Sequence, residues 1–386
     1  MAAPAEFVVH SDAVTGITSD AEVFVSLRYM RHLWVTPDGV QVAVVQQGSN
    51  GGLGLYKSFD AGSTWAWEQD LPGSSEDISD GIMLADGSLL LVTSIATTGP
   101  IADVEFLRMN YDALAQGWSL DPLAPSTVYG SSAVGKATRA TIAMDSNGVL
   151  WSAFRLQNAN TGNVRIRLFS SVDDGLTWQD SLNLFGTANG WVEKNGKVVA
   201  TGTGIAVVSQ DVTGSVASPV RWKAWAHRDD AAPLQAAMTS QPIAAMSVAE
   251  GDPHGSHFSV AADSLGNLHL SYQDGRIFYA RLDESAQSWS TPVSLGTQTA
   301  SYNSISVAGT GDLYVFTRFA GGTNMWVKRL SQASQQWSGW LQVSASSQPG
   351  LLRMCSPERV DDELPVLYQV NAPPPGLELL HALLDV

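Results

Sequence analysis

One phrase recurs six times along the chain and constrains the fold more than any other feature. Each copy has a short apolar run, a turn rich in Asp, Asn or Gly, a second apolar run and a closing tryptophan. The turn glycine and closing tryptophan of the six copies are Gly39 and Trp65, Gly87 and Trp118, Gly148 and Trp178, Gly196 and Trp222, Gly266 and Trp289, and Gly311 and Trp337. Short strands broken by regularly spaced turns predict an all-β fold assembled from one repeated unit.

Two of these copies end in the same eight-residue box. Residues 58–65 and 171–178 both fit Ser-x-Asp-x-Gly-x-Thr-Trp. In a hairpin turn the Ser and Asp side chains can hydrogen-bond to the backbone, the Gly tolerates a positive φ, and the Trp packs between sheets. The box therefore predicts a structural role for its members, which are Ser58, Asp60, Gly62, Trp65, Ser171, Asp173, Gly175 and Trp178.

This box resembles the Asp-box, or BNR, repeat, and the chain as a whole resembles the sialidase-like superfamily of β-propellers. The pattern is degenerate in the other copies, for example at Asp112 and Asp283. The resemblance implies a β-propeller in which the box is a folding element remote from the active site. It identifies architecture and leaves function to be argued from a site.

The C-terminal region supplies the material for a seventh unit. Residues 364–370 and 377–385 read as two strands, with the Pro-rich run at 373–376 as their connector, and residues 6–10 could add an outer strand. Pairing of the two termini would close the ring and leave no open sheet edge there. We predict a single seven-bladed propeller spanning residues 1–386, with six blades as the alternative, and an irregular connector at 224–250.

Composition restricts the classes of function. The formal net charge of −16 excludes broad electrostatic binding to nucleic acid or anionic membrane. One cysteine, Cys355, cannot form an intramolecular disulfide, so cysteine usage assigns no compartment. No run approaches the roughly 18 apolar residues of a membrane helix, and residues 1–9 lack the basic and apolar regions of an export signal. We expect a soluble protein without membrane insertion, and an extracellular or surface-associated role.

Aligning the turns nominates a ligand site. In a propeller the innermost strands begin at one mouth of the central channel, and the aligned positions there carry unusually polar residues. The nominated residues are Arg31, Asp80, Arg139, His257, Tyr302 and Arg353, with Ser79 and His32 beside them. Arginines in such a cup suit a carboxylate, sulfate or phosphate group through bidentate hydrogen bonds. The alternative is that each residue only caps a strand end or pairs with a neighbouring Asp.

Three kinds of function remain open. The Arg-Ile-Pro motif of true sialidases is absent, since His32 and Leu33 follow Arg31. A polysaccharide lyase could use His257 or Tyr302 as the base and Arg139 to neutralise a uronic carboxylate. Recognition without catalysis is favoured, because no complete catalytic signature is present. Four tryptophans outside the closing position of the repeat could also stack on sugar rings, namely Trp67, Trp225, Trp326 and Trp340. The third possibility is a structural subunit that binds protein partners in a larger assembly.

We therefore predict recognition of a glycan, in particular an acidic saccharide, at the channel mouth, with a glycan-cleaving lyase or hydrolase as the alternative. His257 and Tyr302 are the candidate catalytic residues. His254 and His257 lack a third clear ligand, so the sequence predicts no metal site. It predicts no cofactor either.

Overall fold

The fold consists of strands throughout the described part of the chain, and no helix occurs there. The computed structural model describes residues 9–19, 27–47, 52–72, 79–96, 102–130, 135–158, 160–161, 164–184, 194–211, 218–226, 239–246, 257–286, 288–322, 324–343, 353–371 and 377–386. Their strands are grouped in six hydrogen-bonded sheets.

The first two sheets come from residues 33–184. The first sheet is a four-stranded meander of β2 (Leu33–Val35), β3 (Gln41–Gln46), β4 (Leu53–Ser58) and β5 (Ala66–Leu71), and β1 (Val9–Ser19) precedes it in the chain. The second sheet has nine strands, β6 (Asp80–Met83), β7 (Leu89–Ala96), β8 (Ala102–Asp112), β9 (Gly117–Leu120), β10 (Ser126–Tyr129), β11 (Gly135–Met144), β12 (Leu150–Asn158), β13 (Val164–Ser171) and β14 (Gln179–Leu184). A single parallel bridge between Lys136 and Ala102 connects β11 with β8.

The remaining four sheets follow in chain order. The third contains β15 (Lys194–Ala200), β16 (Gly204–Asp211), β17 (Ser218–Ala226) and β18 (Thr239–Met246). The fourth contains β19 (Phe258–Ala262), β20 (Leu268–Asp274), β21 (Arg276–Asp283), β22 (Ser288–Trp289) and β23 (Val293–Ser294). The fifth contains β24 (Ala300–Ala308), β25 (Leu313–Phe319), β26 (Met325–Ser331), β27 (Gln336–Trp337) and β28 (Leu341–Gln342), with β30 (Arg359–Val360) on its inner edge. The sixth contains β29 (Arg353–Cys355), β31 (Glu363–Asn371) and β32 (Leu377–Asp385), and β1 pairs with β32.

Apolar residues fill the spaces between successive sheets. Trp34 of the first sheet and Trp118 of the second share one buried cluster, and Val199 and Val260 belong to the cluster between the third and fourth sheets. The first strands of successive meanders, such as β11, β15, β19 and β24, contact one another. The sheets therefore lie radially around a centre formed by their first strands, and the protein is an all-β propeller.

Both boxes form the same hydrogen-bonded turn. In the first, Ser58 Oγ donates to Asp60 Oδ1 at 2.9 Å, and Thr64 donates its N–H to Oδ1 at 2.8 Å and its hydroxyl to Oδ2 at 2.7 Å. The Trp65 Nε1–H donates to the Gly62 carbonyl at 3.1 Å. The equivalent bonds of residues 171–178 run from 2.6 to 3.1 Å. The boxes therefore stabilise the outer hairpins of two meanders.

Replacing Asp60 by alanine is expected to cost about 1 kcal/mol, because its carboxylate is exposed and only the net worth of its hydrogen bonds is lost. The hydrogen bond from the Thr64 hydroxyl, above all, lowers the pKa of Asp60 below its usual 3.8. A carboxyl group whose pKa is lowered on folding stabilises the fold at pH values above its usual pKa. This contribution is lost as the pH falls through the lowered pKa. Urea unfolding at pH 7 measures the cost of the substitution. The same comparison at pH 3 measures how much of the carboxylate's contribution is lost on protonation. The control Asp70→Ala, which loses one bond to the exposed Trp67, should change little.

Three details of the strand assignment differ from the sequence expectation. Gly196 is not a turn glycine: it lies inside β15, and the turn that follows uses Thr201, Gly202 and Thr203. The expected irregular connector at 224–250 contains the strand β18. The strand that pairs with β32 is β1, which begins at Val9, and the expected connector at 373–376 lies outside the described residues.

Candidate functional site

An arginine that the repeat alignment did not single out organises one mouth of the channel. Arg28 donates from Nη1 to Gln273 Oε1 at 2.7 Å and to Asn303 Oδ1 at 3.0 Å, and from Nη2 to the Ser301 carbonyl at 2.5 Å. Its guanidinium lies 4.3 Å from the centre of the Tyr302 ring. Since β20 ends and β24 begins at these partners, Arg28 lies where the innermost strands start.

Tyr302 lies among three arginines at this mouth. Burial raises the pKa of Tyr302, and the positive charges of Arg28, Arg353 and Arg318 oppose that rise. Arg318 donates from Nε to the Ser301 hydroxyl at 2.7 Å, and burial lowers its own pKa. Arg318 and Arg353 are half-buried. We call this group, Arg28, Tyr302, Arg318 and Arg353, the arginine mouth.

Two further predicted residues lie at the same end of the channel. Arg139 has a left-handed backbone, φ +61°, within an irregularity of the β11–β12 ladder. Such irregularities redirect side chains, and the Arg139 Nη1 donates to Asn195 Oδ1 at 2.8 Å at the start of β15. His257 is half-buried immediately before β19, and its carbonyl accepts the Gln273 N–H at 2.9 Å.

Arg31 and Asp80 lie deep in the channel. Asp80 Oδ1 accepts the Arg31 N–H at 2.8 Å, and Oδ2 accepts the Ile142 N–H at 2.9 Å and the Lys197 ammonium. Arg31, Asp80 and Lys197 expose at most 2% of their side chains. The Arg31 Nη2 donates to the Val260 carbonyl. These three charges therefore connect inner strands of the first four sheets, and Ser79 is buried beside them.

The opposite end of the channel is a cavity of about 550 Å³, which we call the turn-side cavity. It lies where the innermost strands end and their turns begin, with Arg31 and Glu358 among its polar lining and Trp34, Met83 and Met144 among its apolar lining. The structure therefore divides the nominated residues. Arg139, His257, Tyr302 and Arg353 lie where the innermost strands begin, whereas Arg31 lines the opposite cavity.

The tryptophans proposed as sugar platforms differ in exposure. Trp67 is exposed, and Trp326 and Trp340 are half-buried, whereas the side chain of Trp225 lies outside the described part. Among the described residues, no group of three or more His, Cys, Asp or Glu side chains could hold a metal ion. The same residues contain no helix long and apolar enough to cross a membrane.

Comparison of folds places the chain among β-propellers. A polysaccharide lyase superposes with a TM-score of 0.55 at 9% identity, covering 92% of this chain and 90% of the lyase. An α-L-arabinanase from Penicillium chrysogenum, complexed with arabinobiose, gives 0.53 at 14% identity over 80% of this chain and 94% of the enzyme. An α-L-arabinofuranosidase from Fusarium graminearum gives 0.51 at 11% identity over 98% of each chain.

These identities establish the fold alone. No family model matches the sequence, and no curated protein matches it.

Proposed function

We propose that the protein recognises a glycan and that the arginine mouth binds an acidic sugar residue. The observation that carries this proposal is the position of Arg28, 4.3 Å from the centre of the Tyr302 ring, with Arg318 opposite Tyr302 on the neighbouring strand and Arg353 near enough for its charge to act on Tyr302. These cations are concentrated at one channel mouth of a chain whose net charge is −16. The similar propellers named above are a lyase, an arabinanase and an arabinofuranosidase, which supports a glycan as the class of ligand.

The chemistry of the mouth favours an anion. Three positive charges that all act on one tyrosine also repel one another, and a carboxylate or sulfate offsets that repulsion through charge-assisted hydrogen bonds. Arg28 is already held by Gln273 and Asn303, so it is oriented before a ligand arrives. Such preorganisation reduces the conformational cost of binding.

Arg353→Met is expected to weaken binding of an acidic glycan at least tenfold, because a charged hydrogen bond is worth about 1.5–3 kcal/mol. Glycan-array screening followed by calorimetry with the strongest acidic hit measures the change. Arg281→Met is the matched control, since Arg281 pairs with Asp283 on the half-buried strand β21, away from this mouth. Equal binding by wild type and Arg353→Met, or preference for neutral glycans at this mouth, would remove the proposed site.

A glycan-cleaving enzyme is the second candidate, and Tyr302 favours it. Burial raises the pKa of its hydroxyl, but the positive charges of Arg28, Arg353 and Arg318 oppose that rise and would stabilise a phenolate during proton transfer or attack. Tyr302→Phe keeps the ring and removes the hydroxyl. Recovery of intact glycan from both proteins supports recognition, whereas products formed by wild type and not by Tyr302→Phe support the enzyme.

For the finer architecture we propose seven blades closed by the N-terminal strand. The nine-stranded second sheet would be two blades, because among the described residues β11 and β8 are linked by the Lys136–Ala102 bridge alone. The pairing of β1 with β32 supports closure. So does the buried cluster that Leu33 of the first sheet shares with Leu367 of the sixth.

A further inference from the structure

The turn-side cavity is separate from the arginine mouth. Its walls are the last residues of β2, β6, β11, β15 and β19 and the turns that follow them, whereas the arginine mouth lies where such strands begin. Its volume of about 550 Å³ is within the range of small-molecule sites. The cavity is therefore large enough for a ligand of its own.

Two charged groups converge on one side of this cavity. The Arg31 Nε–H is fully buried and has no hydrogen-bond acceptor among the described residues. It lies 3.9 Å from Glu358 Oε2, beyond hydrogen-bond distance. The other carboxylate oxygen of Glu358 accepts the Ala262 N–H at 3.0 Å, which fixes the side chain in place.

The opposite charges of Arg31 and Glu358 determine which class of ligand group can bind between them. A cation would leave the Arg31 N–H without an acceptor and would be repelled by the guanidinium. An anion would be repelled by Glu358. A hydroxyl group accepts from Arg31 and donates to Glu358, so a neutral hydroxyl satisfies both groups.

The rest of the lining suits the same class of ligand. Trp34, Met83, Ile142 and Val198 provide an apolar wall, and the polar residues Ser146, Thr201 and Ser264 of the successive turns also line the cavity. An apolar wall with a few fixed polar groups is the usual composition of a ligand site. A sugar ring has the complementary form, with C–H faces and hydroxyl groups around its edge.

We propose that the turn-side cavity is a second ligand site, which binds a neutral sugar residue through a hydroxyl placed between Arg31 and Glu358. This site is independent of the anion site proposed at the arginine mouth. The propeller would then have two saccharide sites at the two ends of one channel, one for an acidic sugar residue and one for a neutral sugar residue.

Calorimetry or ligand-observed NMR with a matched set of hexoses tests the site. The neutral set is D-glucose, D-galactose and D-mannose, and the charged analogues are D-glucosamine and D-glucuronate. We expect saturable binding of at least one neutral hexose, at least tenfold tighter than its charged analogues. Met144→Trp, at the partly exposed rim, should weaken that binding at least tenfold by filling the cavity. Leu265→Trp, on an exposed turn position that does not line the cavity, should leave it unchanged.

A second pair of variants tests the polar contact. Glu358→Gln keeps one acceptor oxygen for the Ala262 N–H, and its NH₂ can donate to the hexose hydroxyl, which has a second lone pair for Arg31. This variant should therefore bind the hexose within a fewfold of wild type, whereas Glu358→Leu should lose about tenfold or more. Arg353→Met should leave hexose binding intact, so failure at the arginine mouth is distinguished from failure here. Absence of saturable hexose binding, preference for glucosamine, or unchanged binding by Met144→Trp would overturn the proposal.

Discussion

Replacing Lys197 by methionine should destabilise the protein by about 3–5 kcal/mol, the usual cost of leaving a buried charge without its partner. Methionine keeps most of the aliphatic stem and removes the ammonium that Asp80 accepts. Asp80 is fully buried and, within the described part of the chain, would retain the two backbone donors of Arg31 and Ile142. The free energy of urea unfolding at pH 7 measures the loss.

Two further variants separate the charge effect from packing. Arg281→Met removes one partner of the Arg281–Asp283 pair, whose side chains are each 39% exposed and whose charged atoms are 3.7 Å apart, and should cost less than about 1 kcal/mol. Combining Lys197→Met with Asp80→Asn removes both buried charges and should recover part of the loss. If Lys197→Met costs no more stability than Arg281→Met, the Lys197–Asp80 pair does not hold the inner strands together.

The repeat pattern predicted the class of fold because each local choice agrees with the others. Turn glycines, apolar runs and closing tryptophans all indicate the same meander. The pattern failed at the fourth unit, where Gly196 resembles a turn glycine in sequence but packs within β15, so closely that an added Cβ would lie 3.2 Å from Ile166. Because the alignment uses Gly196 as the turn glycine, this unit is shifted. Asn195 and Lys197 were therefore not recognised as channel residues.

The sequence could predict which residues lie near the channel from their positions in the repeat, but not where their side chains point. The alignment nominated Tyr302, Arg353, Arg139 and His257, and the structure places these four residues at one end of the channel. The alignment could not reveal the direction of each side chain. The side chain of Arg31, two residues before β2, extends toward the Val260 carbonyl and the opposite cavity. Arg28 was missed because it precedes the repeat. Its partners lie about 245 and 275 residues away, a separation that no local pattern encodes.

Gly266→Ala should destabilise the protein by roughly 2–4 kcal/mol, and Gly148→Ala by about 1 kcal/mol. The two glycines hold equivalent turn positions and share a φ of +80°, so the backbone strain of an alanine is the same at both. Nothing lies within 4 Å of a Cβ at Gly148, whereas a Cβ at Gly266 would lie 2.1 Å from the backbone nitrogen of Gly202. The difference between the variants therefore measures the contact between two neighbouring turns.

Thermal and urea unfolding of both variants give the comparison. A backbone contact cannot be relieved by rotating a side chain, so at Gly266 the fourth sheet must shift away from the third, and the free energy of unfolding should fall accordingly. Gly202 and Gly266 both line the turn-side cavity, so the same shift should weaken hexose binding in Gly266→Ala and not in Gly148→Ala. Equal stability of the two variants would mean that the turns of these sheets do not touch, and that strain at φ alone accounts for the glycine at this position.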